Sequence, residues 1–418
     1  MSNWTRQSLL CMSVVCMTVL AFTSRAGAAD YETQTNKQAQ QVLPAAVAAG
    51  PDYKVNDPVV ADGYMYKFTV TSTYGPFNVT GTGALRKLEH EIWAIGQLKN
   101  VTRSDAFLKS LKDQAGKPLV FAKDVITSPV DTLSGIPKGV GRLFGNLATA
   151  VTTKRNPSQE SRMSEILLVG SFKRDYAARV NVDPYSSNQV LQEELEKIGK
   201  AAAFGSWTAS AAMMPIGGAA SGVITGTSLS KSFNNILATE PPARIRIINE
   251  DKLKQMGSNP DVAKAYLDQP FYTPTQNLLL VDSLAHLETA TGRDAYLTAS
   301  MVAADETEAN FFVNMAQILR GYHETQGPIT GITMVGSLTV AQAKSGAAVI
   351  PFALDYGVWT ANADRLSQNM KATYKAPGFN GNFEFWVTGS LSPTGKRELE
   401  ARGFKVVEQA GGRFDIID

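Results

Sequence analysis

Ser228-Leu229-Ser230-Lys231 places a hydroxyl and an amine one helical turn apart. A serine at a helix start with lysine three residues later brings Oγ and Nζ to one face, where a desolvated amine can accept the hydroxyl proton. Downstream, Lys344-Ser345-Gly346 has the composition of a strand edge that holds a substrate carboxylate. Ser228 is thus the candidate nucleophile, Lys231 the candidate base and Lys344 the candidate anion holder. Other chemistry is weaker. His90, His286 and His323 are the only histidines, and none pairs at metal-ligand spacing, so no metal is expected. Gly139-Val-Gly141-Arg-Leu-Phe-Gly145 approaches a dinucleotide loop, but Ser134 to Lys138 is no strand, so the required context fails and no cofactor is expected. Asp305, Glu306 and Glu308 read as solvated first-turn acids that complement a helix dipole.

The two Ser/Lys segments together resemble two of the three signatures of penicillin-recognising serine enzymes. The third, Ser-x-Asn or Tyr-x-Asn, is missing at any credible position between them, and the match covers only seven residues. The resemblance implies an exported serine hydrolase or acyl transferase acting on wall peptides. No family likeness extends over a useful length of the chain.

The address is clearer than the chemistry. Arg6 precedes a short apolar run, Ser8 to Phe22, and the small residues Ala26-Gly27-Ala28-Ala29 follow. This is the pattern of a secretory signal ending near residue 28. A run of fifteen residues falls short of the roughly 20 that span a bilayer. Cys11 and Cys16 lie inside the signal, so the expected mature chain carries no thiol and no disulfide. Loss of Arg6 and Arg25 from 40 basic residues leaves 38, equal to the 38 acidic ones. A balanced surface offers no electrostatic footprint for nucleic acid.

The most unusual mature segment is Ala201 to Ser230, which contains no charged residue. Gly218, Gly222 and Gly226 recur every fourth position, a spacing that lets a second backbone approach closely, as in paired membrane helices. Upstream, Val140, Leu143 and Phe144 form an apolar face flanked by Lys138 and Arg142, consistent with an interfacial helix. A buried small-residue hairpin or a glycine-rich loop accounts for the same composition.

The elements around these segments predict an α+β or mixed α/β fold. Residues 30–62 read as an arm or loose linker. Tyr64 to Gly83 alternates as a hairpin turning at Tyr74-Gly75-Pro76, and Leu85 to Leu98 switches to helical spacing. Ile166 to Phe172 reads as a buried strand, and Asn188 to Ala203 as an amphipathic helix. Helices are expected from Thr275 to Thr291, with Thr273 as N-cap and Pro274 at N1 before it and Gly292 as the stop, from Asp305 to Glu324, and near Ala361 to Met370. Strands are expected at Ile329 to Val335 and Ala347 to Leu354, and Phe383 onward reads as β-α-β, which implies a parallel pair. Ser392 caps the helix of that unit and, with Ser390, is the candidate anion-binding site. A faint echo, Val-Gly-Ser or Thr-Gly-Ser at 169, 335 and 388, reads as strand-end turn chemistry. The regions are then 1–28 signal, 29–160 hairpin and helices, 161–240 with the glycine-spaced segment, and 241–418 helices and mixed sheet.

The leading expectation is an exported, non-catalytic envelope protein. It would touch a membrane surface or another envelope protein through Gly218, Gly222 and Gly226 and through Val140, Leu143 and Phe144. The serine hydrolase and a soluble periplasmic ligand-binding protein are the alternatives.

Overall fold

The computed structural model describes residues 31–105, 107, 164–204, 231–414 and 416. The fold mixes helices and sheets as an α+β arrangement. Residues 31–62 are not a loose arm. They form two short helices, α1 (Ala39–Val42) and α2 (Ala45–Ala48), and two strands, β1 (Tyr53–Val55) and β2 (Val60–Asp62). Ala39, Leu43, Val55 and Val59 are buried against the hairpin that follows. Single apolar residues separated by Gln, Ala and Pro give no period, yet each finds a core when the hairpin supplies one.

That hairpin is β3 (Met65–Ser72) and β4 (Gly75–Thr80), in antiparallel register from Ser72 opposite Gly75 to Lys67 opposite Thr80. Tyr66, Phe68 and Val70 point inward. Gly75 turns the chain at φ +121°, a conformation that glycine adopts freely. β1 and β2 both pair with β3. Helix α3 (Thr82–Thr102) follows and buries Leu88, Ile92, Ile95 and Leu98 at the expected spacing.

Ile166 to Phe172 lies in a helix, α4 (Ser164–Arg179), not in a strand. Leu168 is about half exposed while Gly170, Arg174, Tyr176 and Ala177 are buried, a helical rather than alternating pattern. A short continuous apolar run does not by itself distinguish the two. α5 (Gln189–Phe204) follows, and α3, α4 and α5 share one core built on Ile95, Leu98, Tyr176, Leu191, Leu195 and Ile198. This core crosses residue 160.

Helices α6 (Lys231–Thr239), α7 (Pro242–Gln255), α8 (Pro260–Leu267), α9 (Pro274–Ala285), α10 (Arg293–Ser300) and α11 (Glu306–Thr325) lead into the large core. Thr273 caps α9 and Pro274 occupies its first turn, as expected, but the helix ends at Ala285 rather than Thr291. Gly292 sits at φ +78° as the N-cap of α10, so it opens a helix instead of closing one.

The chain then builds a five-stranded mixed sheet from β5 (Ile329–Val335), β6 (Leu338–Ala343), β7 (Ala348–Phe352), β9 (Phe383–Val387) and β11 (Phe404–Val407). Its order is β11-β9-β7-β6-β5. β7, β9 and β11 are parallel, with α13 (Pro393–Ala401) as the crossover between the last two. β6 was not foreseen; five of its six residues are buried, which erases the polar alternation that marks a half-exposed strand. β8 (Tyr356–Gly357) and β10 (Ser390–Leu391) form a short parallel pair beside the sheet, and α12 (Ala361–Thr373) links β8 to β9. The three Gly-Ser echoes are unrelated structures: one lies inside α4, one is the β5–β6 turn and one precedes β10.

Candidate functional site

Ser228, Gly218, Gly222, Gly226, Val140, Leu143 and Phe144 lie outside the described residues. Lys231 is the first residue of α6, which packs on α4. Lys344, in contrast, lies on the tight turn between β6 and β7 and not on a strand edge. Its N–H donates to the Pro328 carbonyl at 2.8 Å, and Asn380 Nδ2 donates to the Ser345 carbonyl at 3.0 Å. Gly346 holds φ +91°, and a Cβ there would stand 2.7 Å from the Gly378 carbonyl oxygen. Turn geometry therefore accounts for the Lys-Ser-Gly sequence: glycine is required for the backbone, and the turn exposes lysine to solvent.

Ser390 and Ser392 flank the start of α13. Ser392 is buried and caps the helix, its Oγ accepting from Gly395 N–H at 2.9 Å. The same hydroxyl donates to Glu32 Oε2, and that oxygen also accepts from Trp359 N–H at 2.7 Å. The helix start thus meets a carboxylate from the chain's own N-terminal segment. Ser390 lies in β10 and donates its backbone N–H to the Asp355 carbonyl at 3.1 Å. Glu32 carried no sequence signal, because its partners are more than 320 residues away.

Around this contact the carboxylates Asp364 and Glu408 are well paired, whereas the buried Trp359 Nε1 has no hydrogen-bond partner among the described residues. Asp364 accepts from Tyr31 Oη, Gln368 Nε2 and the Arg402 guanidinium, which stacks 4.5 Å above the Trp359 ring. Burial pushes the Asp364 carboxyl up, but these donors outweigh it and hold it below the usual carboxylate range. Glu408 behaves alike: burial raises it, while Leu391 N–H and Lys396 bring it lower than usual. Trp359 and Trp386 are buried and Tyr356 half-buried, consistent with packing roles.

The helical bundle orders the roots of the two small-residue segments. Glu91 of α3 accepts from Ser186 Oγ at 2.6 Å and from Asn188 Nδ2 at 2.9 Å, whereas Lys99 reaches Glu194 at 2.9 Å. Positions rise together along both helices, so α3 and α5 are parallel. α4 runs the opposite way, since a Cβ on Gly199 near the end of α5 would lie 2.8 Å from the Val169 carbonyl near the start of α4. The ends of α3 and α5 and the beginning of α4 therefore share one end of the bundle. The opposite end, residues 180–188, docks on the C-terminal helices: Thr275 Oγ1 donates to Asp183 Oδ1 at 2.7 Å and Tyr185 Oη donates to the Glu240 carbonyl. Because α6 finishes beside Tyr185, Lys231 stands about 13 Å away, one helix length.

The histidines and first-turn acids have partners within the fold or face solvent. His90 Nε2 lies 2.9 Å from the Val180 carbonyl, and its ring stacks on Trp93. His323 Nδ1 accepts from Ile329 N–H at 3.0 Å, and His286 is exposed. Asp305 proves to be the N-cap of α11, and Glu308 is fully buried rather than solvated and accepts from Ala304 N–H at 2.8 Å. Among the described residues no His, Cys, Asp or Glu cluster has the makings of a metal site. Among them, too, no helix is long and apolar enough to cross a membrane. Compared with known protein families, curated proteins and solved structures, the chain matches none.

Proposed function

We propose that this chain is an exported, non-catalytic envelope protein that meets a membrane surface or another envelope component through its small-residue segments. One observation supports this most: the ends of α3 and α5 and the start of α4 lie together. The flanks of 108–163 and the start of 205–230 are therefore rooted at one bundle end, opposite the end that docks on the C-terminal helices. The first of these segments holds Val140, Leu143 and Phe144, and the second holds Gly218, Gly222 and Gly226. A shared root would let both segments address one surface, with the sheet domain held behind them.

Flotation of the chain from residue 29 onward with phospholipid vesicles tests the reading. The protein is expected in the vesicle fraction, and replacing 205–230 by a serine- and glutamate-rich segment of equal length should return it to the soluble fraction. Complete recovery of the unaltered protein as soluble material, without vesicle binding, would overturn the membrane form of the proposal. Failure to crosslink to any envelope protein in intact cells would remove the other.

A further inference from the structure

The five-stranded sheet has different neighbours on its two faces. Trp386 meets Tyr322 of α11 edge-on at 5.4 Å on one side. Ile350 and Phe385, paired in register, face the other way toward α12 and α13. Between that face and the two helices lies a cavity of about 80 Å³, walled by Ile350, Phe385, Leu366, Met370, Leu399 and Tyr64. The surface its wall presents to the void is almost wholly apolar. Trp359 Nε1 is buried with no hydrogen-bond partner among the described residues, and two hydroxyls of the wall are engaged elsewhere. Ser367 Oγ donates to the Asp364 carbonyl at 2.8 Å, and the Tyr64 hydroxyl is hydrogen-bonded to Asn362.

Such a wall recognises neither charge nor dipole, and an apolar void of this kind gives water no partners. Protein interiors seldom keep gaps larger than a water molecule, because the lining forfeits dispersion contacts across them. Leu366, Phe385, Leu399 and Tyr64 are only half-buried, so the void opens outward along an apolar rim. A compact polar solute has nothing to hold it there. A hydrocarbon chain entering end-on fills the void and covers the rim, leaving its polar head in water.

We infer that this cavity binds the end of a saturated hydrocarbon chain, carried by a free fatty acid or by a lipid. At about 30 Å³ per water-sized group, the void accommodates roughly three terminal carbons. The inference does not rest on the membrane contact proposed above, since the cavity belongs to the C-terminal sheet and not to the bundle end.

Methyl-resolved NMR of the mature chain, titrated with decanoate and separately with dihexanoylphosphatidylcholine, each below its micelle concentration, tests it. Saturable shifts are expected at the Ile350, Leu366, Met370 and Leu399 methyls. Saturation by decanoate alone assigns the site to free chains, and saturation by the phospholipid assigns it to lipid. Ala363→Phe, which fills the void from α12, should weaken binding about fifty-fold, the worth of three buried methylenes. Leu399→Phe makes the same test from α13 should the first variant not fold. Absence of saturable shifts with both compounds, or undiminished binding in a folded filled variant, would overturn the inference.

Discussion

Ser392 joins two roles in one hydroxyl, accepting from the first turn of α13 and donating to Glu32. Ser392→Ala removes both and should lower the unfolding free energy by about 1–2 kcal/mol, as cap deletions do; an unchanged urea midpoint would contradict the assignment. The cap was legible as Ser-Pro before a helical stretch, whereas the carboxylate it holds was not, because no local pattern links Glu32 to position 392. Two acids predict opposite pH responses. The Asp364 carboxyl is held low in the folded state, so its contribution is present above the unfolded value of about 3.9 and is lost as pH falls through its folded pKa. Glu91 is raised, chiefly by burial, against the opposing pull of Lys87, Ser186 and Asn188. Its contribution is full below about 4.3 and disappears as pH climbs through the raised value. Thermal melts from pH 4.5 to 7 should therefore show Glu91→Gln gaining stability relative to the unaltered protein as pH rises.

At the level of elements, glycines separate backbone strain from steric closeness. Gly257 and Gly292 have nearly the same φ, +74° and +78°. A Cβ at Gly257 meets open space, while one at Gly292 would stand 2.0 Å from the Ile332 carbonyl oxygen. Gly257→Ala should cost about 1–2 kcal/mol from the left-handed conformation alone. Gly292→Ala should cost clearly more, and equal urea midpoints for the two variants would refute the close approach of α10 and β5. Helices with one buried stripe, such as α3 and α5, were readable because period and burial agree. α4 and β6 were not. A brief apolar run fits helix or strand equally, and a strand buried on both faces loses its alternation.

Across the whole molecule, Asp355 ties the N-terminal hairpin to the sheet domain. Its Oδ1 accepts from Thr82 N–H at 2.9 Å, where Gly81 gives α3 no side-chain cap, and its Oδ2 accepts from Tyr66 N–H at 2.8 Å. Asp355→Ala leaves these donors unmet and should cost about 2–3 kcal/mol, with earlier loss of the hairpin's hydrogen-exchange protection; simultaneous loss everywhere would argue against this tie. The same long-range order governs the proposed contact surface, since residue spacing marked the glycine-rich stretch but not where its flanking helices end. By itself the sequence determined the elements whose apolar period matches their burial, the α+β class and the caps at Thr273 and Ser392, because these depend on neighbours within a few residues. Tertiary structure alone decided the identity of α4 and β6, the carboxylate at α13, the shared root of the bundle segments and the apolar cavity. Each of those depends on groups that meet only after distant parts of the chain have packed.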